Sequence, residues 1–146
     1  MKKCNEVMTK NPFCCLPNDV VVKVAQLMKS KEIGSIPVVE NEETNKLVGI
    51  VTDRDLALKI VAEGCDPQTT KVEDVMSRKV VTCRDDDDMR KPLDAMSKHQ
   101  LRRIPVVDKD NRIVGIIAQA DVATRVNDTK KTAELVKGIS QYHVRS

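Results

Sequence analysis

The sequence predicts an α/β fold of the α+β kind: two tandem β-α-β-β-α repeats packed sheet to sheet with pseudo-twofold symmetry, followed by a C-terminal helix. Three observations carry this. The chain overlays itself at an offset of 68 positions, which sets Val7-Met8-Thr9-Lys10 on Val75-Met76-Ser77-Arg78, Cys15 on Cys83, Asp19 on Asp87, Met28 on Met96 and Ile36-Pro37-Val38-Val39 on Ile104-Pro105-Val106-Val107. Within each copy, apolar residues pass from helical spacing to short β-branched runs. Finally, 146 residues at 40% apolar content can bury one sizeable core or two small ones, which excludes two large domains. A repeat of roughly 55 residues with one apolar sheet face cannot bury that face alone, so the copies are expected to cover each other.

The elements follow in order. A short strand around Cys14 and Cys15 precedes a helix that Asn18 is placed to cap, with Val20, Val21, Val24, Leu27 and Met28 recurring at helical spacing and Gly34 marking its end. Residues 36–39 and 47–52 are strands divided by a polar loop, Glu-Asn-Glu-Glu-Thr-Asn. The repeat then continues at an offset of 66, with Val48-Gly49-Ile50 on Val114-Gly115-Ile116 and Asp55-Leu56-Ala57 on Asp121-Val122-Ala123, so the first copy carries two extra residues in this loop. A second helix spans 53–63, with Leu56, Ile60 and Val61 on its apolar side and Gly64 beyond it. The second copy repeats the plan. There Pro92 falls well past the first turn of the helix and should kink or shorten it. The organisation is therefore residues 1–64 as the first repeat, 65–71 as a linker, 72–127 as the second repeat, and 128–146 as a helix and tail. In that tail Asn127-Asp128-Thr129 can cap a helix with Ala133, Leu135, Val136 and Ile139 on one side, a candidate dimer or partner contact.

Composition removes several function classes. The net charge is +3 with bases and acids interspersed, and Phe13 and Tyr142 are the only aromatic residues, so neither the electrostatics nor the stacking platforms of a nucleic-acid binder are present. Five cysteines, Cys4, Cys14, Cys15, Cys65 and Cys83, show no zinc spacing and read as reduced thiols. The sequence has no membrane-length apolar run and no signal-peptide core, so a soluble, cytoplasmic protein is expected. His99 and His143 lack carboxylate or cysteine neighbours at ligand spacing and read as surface residues, while Met28 and Met96 read as core. The run Asp85 to Asp88 is more simply a dipole-favoured helix start than a cation site, so no metal is expected.

The chemistry concentrates at one junction. Gly49-Ile50-Val51-Thr52-Asp53-Arg54-Asp55 places a hydroxyl and a carboxylate where a strand turns into a helix, with free backbone N–H groups and the positive dipole end available to a phosphate. Asp55 can accept from both hydroxyls of a ribose diol, and Arg54 adds a cation. Thr52 with Asp55 is equally close to a capping box, in which both side chains only satisfy orphan N–H groups. The second copy reads Gly115-Ile116-Ile117-Ala118-Gln119-Ala120-Asp121: the hydroxyl is gone, the carboxylate remains, and a capping box alone leaves that carboxylate unexplained.

The doubled Val-Met-[Thr/Ser], Ile-Pro-Val-Val and Gly-h-h-x-x-x-Asp patterns, in the same order twice between Val7 and Val126, resemble the CBS domain, and the tandem pair resembles a Bateman module. The resemblance implies two pseudo-equivalent clefts for AMP, ADP, ATP, S-adenosylmethionine or a related adenosyl ligand, and frequent dimerisation. Carried over by position, it implies that the first cleft uses Thr52, Arg54 and Asp55 on ribose and phosphate. Thr9, Cys14, Ile33, Gly34, Ser35 and Pro37 border the adenine, and Arg102 and Arg103 reach the phosphates. The second cleft would use Ser77, Thr82, Leu101, Pro105 and Asp121, weaker because Ala118 replaces the hydroxyl and Gly34-Ser35 offer no matching basic pair.

The expected function is a regulatory module, not an enzyme: no nucleophile is paired with a base, and the two carboxylates lie in separate repeats. It needs no catalytic cofactor. Its expected partners are the adenosyl ligand, a second copy in a homodimer, and an effector protein in trans. The alternative is a dimerisation scaffold on the same fold whose clefts are vestigial.

Overall fold

The computed structural model describes residues 2–125. The helix expected within 128–146, with Tyr142 and His143, lies outside the described residues. The chain divides into two compact units. One is the central unit, Phe13–Val80; the other, the terminal unit, joins the stretch up to Pro12 to the chain from Val81 onward.

In the terminal unit, α1 (Cys4–Val7) leads into β1 (Thr9–Lys10), and the chain returns through β4 (Cys83–Arg84), α4 (Arg90–His99), β5 (Arg103–Val107), β6 (Ile113–Ala118) and α5 (Gln119–Arg125). Its sheet runs β1-β6-β5-β4, antiparallel except for the β4–β5 pair. Its core gathers Cys4, Val7, Cys83, Met89, Leu93, Met96, Ile104, Val106, Ile117 and Val122.

The central unit carries α2 (Val21–Lys31), the antiparallel pair β2 (Ser35–Val39) and β3 (Leu47–Thr52), and α3 (Asp53–Leu56), which runs on into a π-helical turn at Ala57–Val61. A 3-10 turn, Val72–Asp74, follows. Single bridges stand where the terminal unit has its outer strands: Cys15 pairs parallel with Val38, and Ser77 antiparallel with Ile50. Its core is Cys15, Val21, Val24, Met28, Ile36, Val38, Val51, Ile60, Val72, Val75 and Met76.

The two units share one plan but divide the chain differently from the sequence repeat. Thr9 pairs with Ile116, and its repeat equivalent Ser77 pairs with Ile50, so the segment that opens each repeat completes the sheet built by the other. Val7 and Val75, equivalent in sequence, likewise lie in the cores of opposite repeats.

Several local expectations are corrected. Asn18 does not cap α2; the N-cap is Val20, which makes no side-chain cap bond. The orphan donors of the first turn are met by the linker, with Val21 N–H donating to Thr70 O and Val22 N–H to Pro67 O, while Asp19 accepts from Leu16 N–H at 2.8 Å. Nor does Gly34 end the helix. Glu32 does, in the left-handed region at φ 54, and Gln100 repeats this at φ 56 after α4. Pro92 is the third residue of α4, inside the first turn, where its missing N–H would have had no helical acceptor; a kink is not required. Val61 is 78% exposed: the turn that carries it closes with Ala62 N–H on Ala57 O, and the wider π spacing carries Val61 past the α-helical stripe that keeps Ile60 buried. Among the described residues no helix is long and apolar enough to cross a membrane.

Candidate functional site

Each unit presents the same junction, where its last strand passes into a helix one residue after a hydroxyl or its replacement. In the central unit Thr52 is the N-cap of α3, and both halves of the capping box form: Asp55 N–H donates to Thr52 Oγ1 at 3.1 Å and Thr52 N–H to Asp55 Oδ2 at 2.9 Å. The remaining first-turn donors are also engaged. Asp53 N–H donates to Gly34 O at 2.9 Å and Arg54 N–H to Asp53 Oδ1 at 2.8 Å. The expected cradle of free N–H groups is therefore absent here, because local carbonyl and side-chain oxygens satisfy those donors first. An anion at this junction has to be met by side chains.

Gly34 is placed by that contact. A Cβ on it would lie 3.0 Å from Asp53 Oδ2, so the strand start sits close to the helix start only because no side chain intervenes. Ser35 stands in register with Thr52, and Pro37 with Ile50. Pro37 is buried and Ile33 half-buried against the core. Cys15 N–H donates to Pro37 O, which puts Cys14 on the opposite face of that segment. Burial pushes the Cys14 thiol up to about 11, so it presents a neutral, weakly polar surface at pH 7.

Lys59, which the motif reading passed over, completes this site. Its Nζ lies 3.1 Å from Asp55 Oδ1 and donates to Val75 O at 2.8 Å, tying the helix to the segment that ends at Ser77. The signal was available: Asp55 and Lys59 are four apart on a helix, the spacing at which opposite charges meet. Arg54 is exposed.

In the terminal unit the carboxylate is put to a different use. Ala118 N–H donates to Asp121 Oδ2 at 3.1 Å, and Thr9 Oγ1 approaches the same oxygen at 3.4 Å. This corrects the argument that a capping role leaves Asp121 unexplained: the carboxylate half of the box forms without a hydroxyl at 118, and β1 brings a hydroxyl from elsewhere in the chain. Grouping by repeat is corrected with it. Thr9, expected beside Asp55, hydrogen-bonds Asp121; Ser77, expected beside Asp121, pairs with Ile50, two residues before Thr52.

Arg103 stands in register with Ala118 on β5 and β6. It is half-buried, its Nε has no hydrogen-bond partner among the described residues, and burial pulls its guanidinium below the usual arginine range while Asp121 pushes it back up. This places a basic residue beside Asp121, where the motif reading had expected none. Arg102 is exposed and its carbonyl accepts Gln119 N–H at 2.8 Å, the counterpart of the Gly34–Asp53 bond. Leu101 packs against the core, Pro105 is buried in β5, and Thr82 is exposed. Among the described residues no group of three or more His, Cys, Asp or Glu side chains is arranged to hold a metal.

The arrangement offers a carboxylate for a diol, a hydroxyl beside it, and in the terminal unit a half-buried guanidinium whose Nε has an unused donor. Neither junction sets a nucleophile against a base.

Comparison with known proteins gives the family and the fold. The family described as CBS domain matches the chain twice, over residues 4–62 and 72–128. The chain is 35% identical over 144 residues to the CBS domain-containing protein YhcV of Bacillus subtilis (strain 168), covering 99% of each. Among solved structures it is similar to the CBS domain pair of protein MJ0100 in complex with 5′-methylthioadenosine and S-adenosyl-L-methionine, at 29% identity and a TM-score of 0.71 over 84% of this chain and 94% of that one. It is also similar to CBSX2 in complex with AMP, at 25% identity and a TM-score of 0.73 over 89% and 99%.

Proposed function

Because this chain belongs to the CBS domain family, with the domain matched twice in tandem, we propose that it is a regulatory module that binds an adenine nucleotide or S-adenosylmethionine and reports occupancy to a partner. The observation that carries the reading is Arg103. A half-buried guanidinium with an unpartnered Nε, beside a carboxylate and a threonine hydroxyl at a strand-to-helix junction, is an expensive arrangement to fold without an anion to complete it. A phosphate on Arg103 gives Nε its partner, a ribose diol joins Ala118 N–H and Thr9 on the Asp121 carboxylate, and the two solved relatives named above hold adenosyl compounds. Asp55, Thr52 and Ser35 form the corresponding site in the central unit. We set the activity in the cytoplasm, in keeping with five unbridged cysteines.

One observation favours the scaffold alternative. Asp55 already accepts from Thr52 N–H and pairs with Lys59, so a diol there competes with bonds the protein makes alone. A second copy is the partner we propose for the apolar groove of about 280 Å³ lined by Val21, Ala25, Leu56, Ile60, Val61 and Cys65.

Isothermal titration calorimetry with AMP, ATP and S-adenosylmethionine tests the reading on wild type, Asp121→Asn, Asp55→Asn and Arg103→Gln. Losing one charge-assisted bond to ribose or phosphate should weaken binding roughly 10- to 100-fold. Arg103→Gln should act on AMP and ATP but spare S-adenosylmethionine, which has no phosphate. Absence of heat with every ligand establishes the scaffold instead. Light scattering on Val61→Glu in the same series should show the dimer dissociating; an unchanged mass removes the groove from the interface.

A further inference from the structure

The terminal unit holds two thiols against each other. Cys4 Sγ and Cys83 Sγ lie 3.6 Å apart, joined by a thiol hydrogen bond, with the residues 0% and 5% exposed in a core otherwise built of hydrocarbon and methionine side chains. Main-chain bonds hold the backbone on both sides of the contact: Cys4 N–H donates to Asp87 O, Asn5 N–H to Asp85 O, and Met89 N–H to Lys2 O.

The internal repeat supplies a control for what packing alone requires. Cys83 is equivalent to Cys15, and Cys4 to Val72. Val72 and Cys15 lie in the core of the central unit, Val72 with 0% exposure, and Cys15 Sγ turns to Pro37 O instead. A hydrocarbon therefore fills the Cys4 position where the same fold has no use for a second sulfur.

We propose that Cys4 and Cys83 form a reversible disulfide, a covalent clasp that ties the segment carrying Thr9 to β4 and closes the chain into a loop containing the whole central unit. The sulfurs need to approach by roughly 1.6 Å to reach bonding distance. With a low-molecular-weight disulfide as oxidant, one cysteine thiolate attacks it, expelling one thiol and leaving a mixed disulfide. The second cysteine thiolate then displaces the remaining thiol, so the protein loses two protons and two electrons and the oxidant is reduced to two thiols. In the closed state Cys83 is held well above the ordinary thiol range, first by its hydrogen bond with Cys4 and then by burial, so exchange proceeds when the 2–12 segment separates from β4. Because Thr9 lies on that segment, the clasp holds its hydroxyl at Asp121.

The test uses oxidised glutathione on the full chain carrying Cys65→Ser, which removes the exposed thiol. After alkylation under denaturing conditions, intact mass should show only two alkyl groups, those of Cys14 and Cys15, on a chain two hydrogens lighter, and peptide mapping a Cys4–Cys83 link. The thermal midpoint should rise by roughly 10 °C on oxidation and return on reduction. Adding Cys4→Val should leave the reduced midpoint within about 2 °C and abolish the rise. Four thiols that remain alkylatable, a link to another cysteine, or a disulfide that lowers the midpoint overturns the proposal.

Discussion

Glycines at the same place in the two repeats have different neighbours. A Cβ on Gly49 would lie 2.9 Å from the carbonyl oxygen of Ser77 and 2.8 Å from Met76 Sδ; the atoms nearest one on Gly115 belong to Met8, with its Sδ at 2.5 Å. The Ser77 carbonyl accepts Ile50 N–H while Ser77 N–H donates to Ile50 O, so it cannot retreat, whereas a half-buried methionine can swing its Sδ and Cγ away and leave only its Cβ, at 3.0 Å, to give by a few tenths of an ångström. Gly49→Ala should therefore cost about 1–3 kcal/mol in urea unfolding and Gly115→Ala under about 1. Equal losses would mean that the Ser77 strand moves as freely as the Met8 side chain. At this scale the sequence marks the candidate residues but not their neighbours. Gly49 with Gly115 and Asp55 with Asp121 are visible as a repeated pattern, and Thr52 and Arg103 as departures from it, yet that Thr9 serves Asp121 depends on a pairing between residues more than a hundred positions apart, which no local motif encodes.

Among the elements, helix existence followed from periodicity and helix ends did not. Val21, Val24 and Met28 form the buried stripe of α2 as their spacing requires. The ends depend on bonds from outside the element: Thr70 and Pro67 carbonyls take the first N–H groups, and the last turn closes through Glu32 N–H and Ile33 N–H on Met28 O. Gly34 is an attractive stop signal, but it lies two residues too late, and its small size answers the close approach of Asp53 instead. Leaving the left-handed position to glutamate and glutamine stores strain twice. Glu32→Gly should raise stability by roughly 0.5–1 kcal/mol, since glycine adopts that conformation without penalty but loses more chain entropy on folding. Gln100→Gly should gain a similar amount, because removing the buried Oε1 that has no partner among the described residues offsets the loss of the 2.9 Å bond from Nε2 to Ser97 O. The two lie in units with separate cores, so urea denaturation of the double variant should show additive gains. A loss at either site would indicate that the side chain, and not the backbone, holds the helix end.

For the whole molecule, the internal repeat and the folding unit are different partitions of the chain. Overlaying the sequence on itself identifies the family and the number of cores, but the repeat boundary at 64 separates Val72, Val75 and Met76 from the core in which they are buried. It also removes the carbonyls that cap α2 and the bonds Val72 N–H to Asp19 O and Glu73 N–H to Pro17 O. Periodicity is blind to this because each repeat's opening segment looks the same whichever copy it joins. The consequence is measurable with two fragments. Residues 13–80 contain every member of the central core and should unfold from urea in a single cooperative transition. Residues 1–64, a full sequence repeat, lack three buried side chains worth roughly 1.5–3 kcal/mol each, a sum that matches much of the 5–15 kcal/mol by which a whole domain is stable. That fragment should show weak, non-cooperative loss of circular dichroism and fast amide exchange in β2 and β3. If 1–64 folds as cooperatively as 13–80, the opening segment of the first repeat must be able to occupy the place of Val72 to Ser77, and the exchange of segments between repeats is then a choice made by the intact chain and not a requirement of the fold.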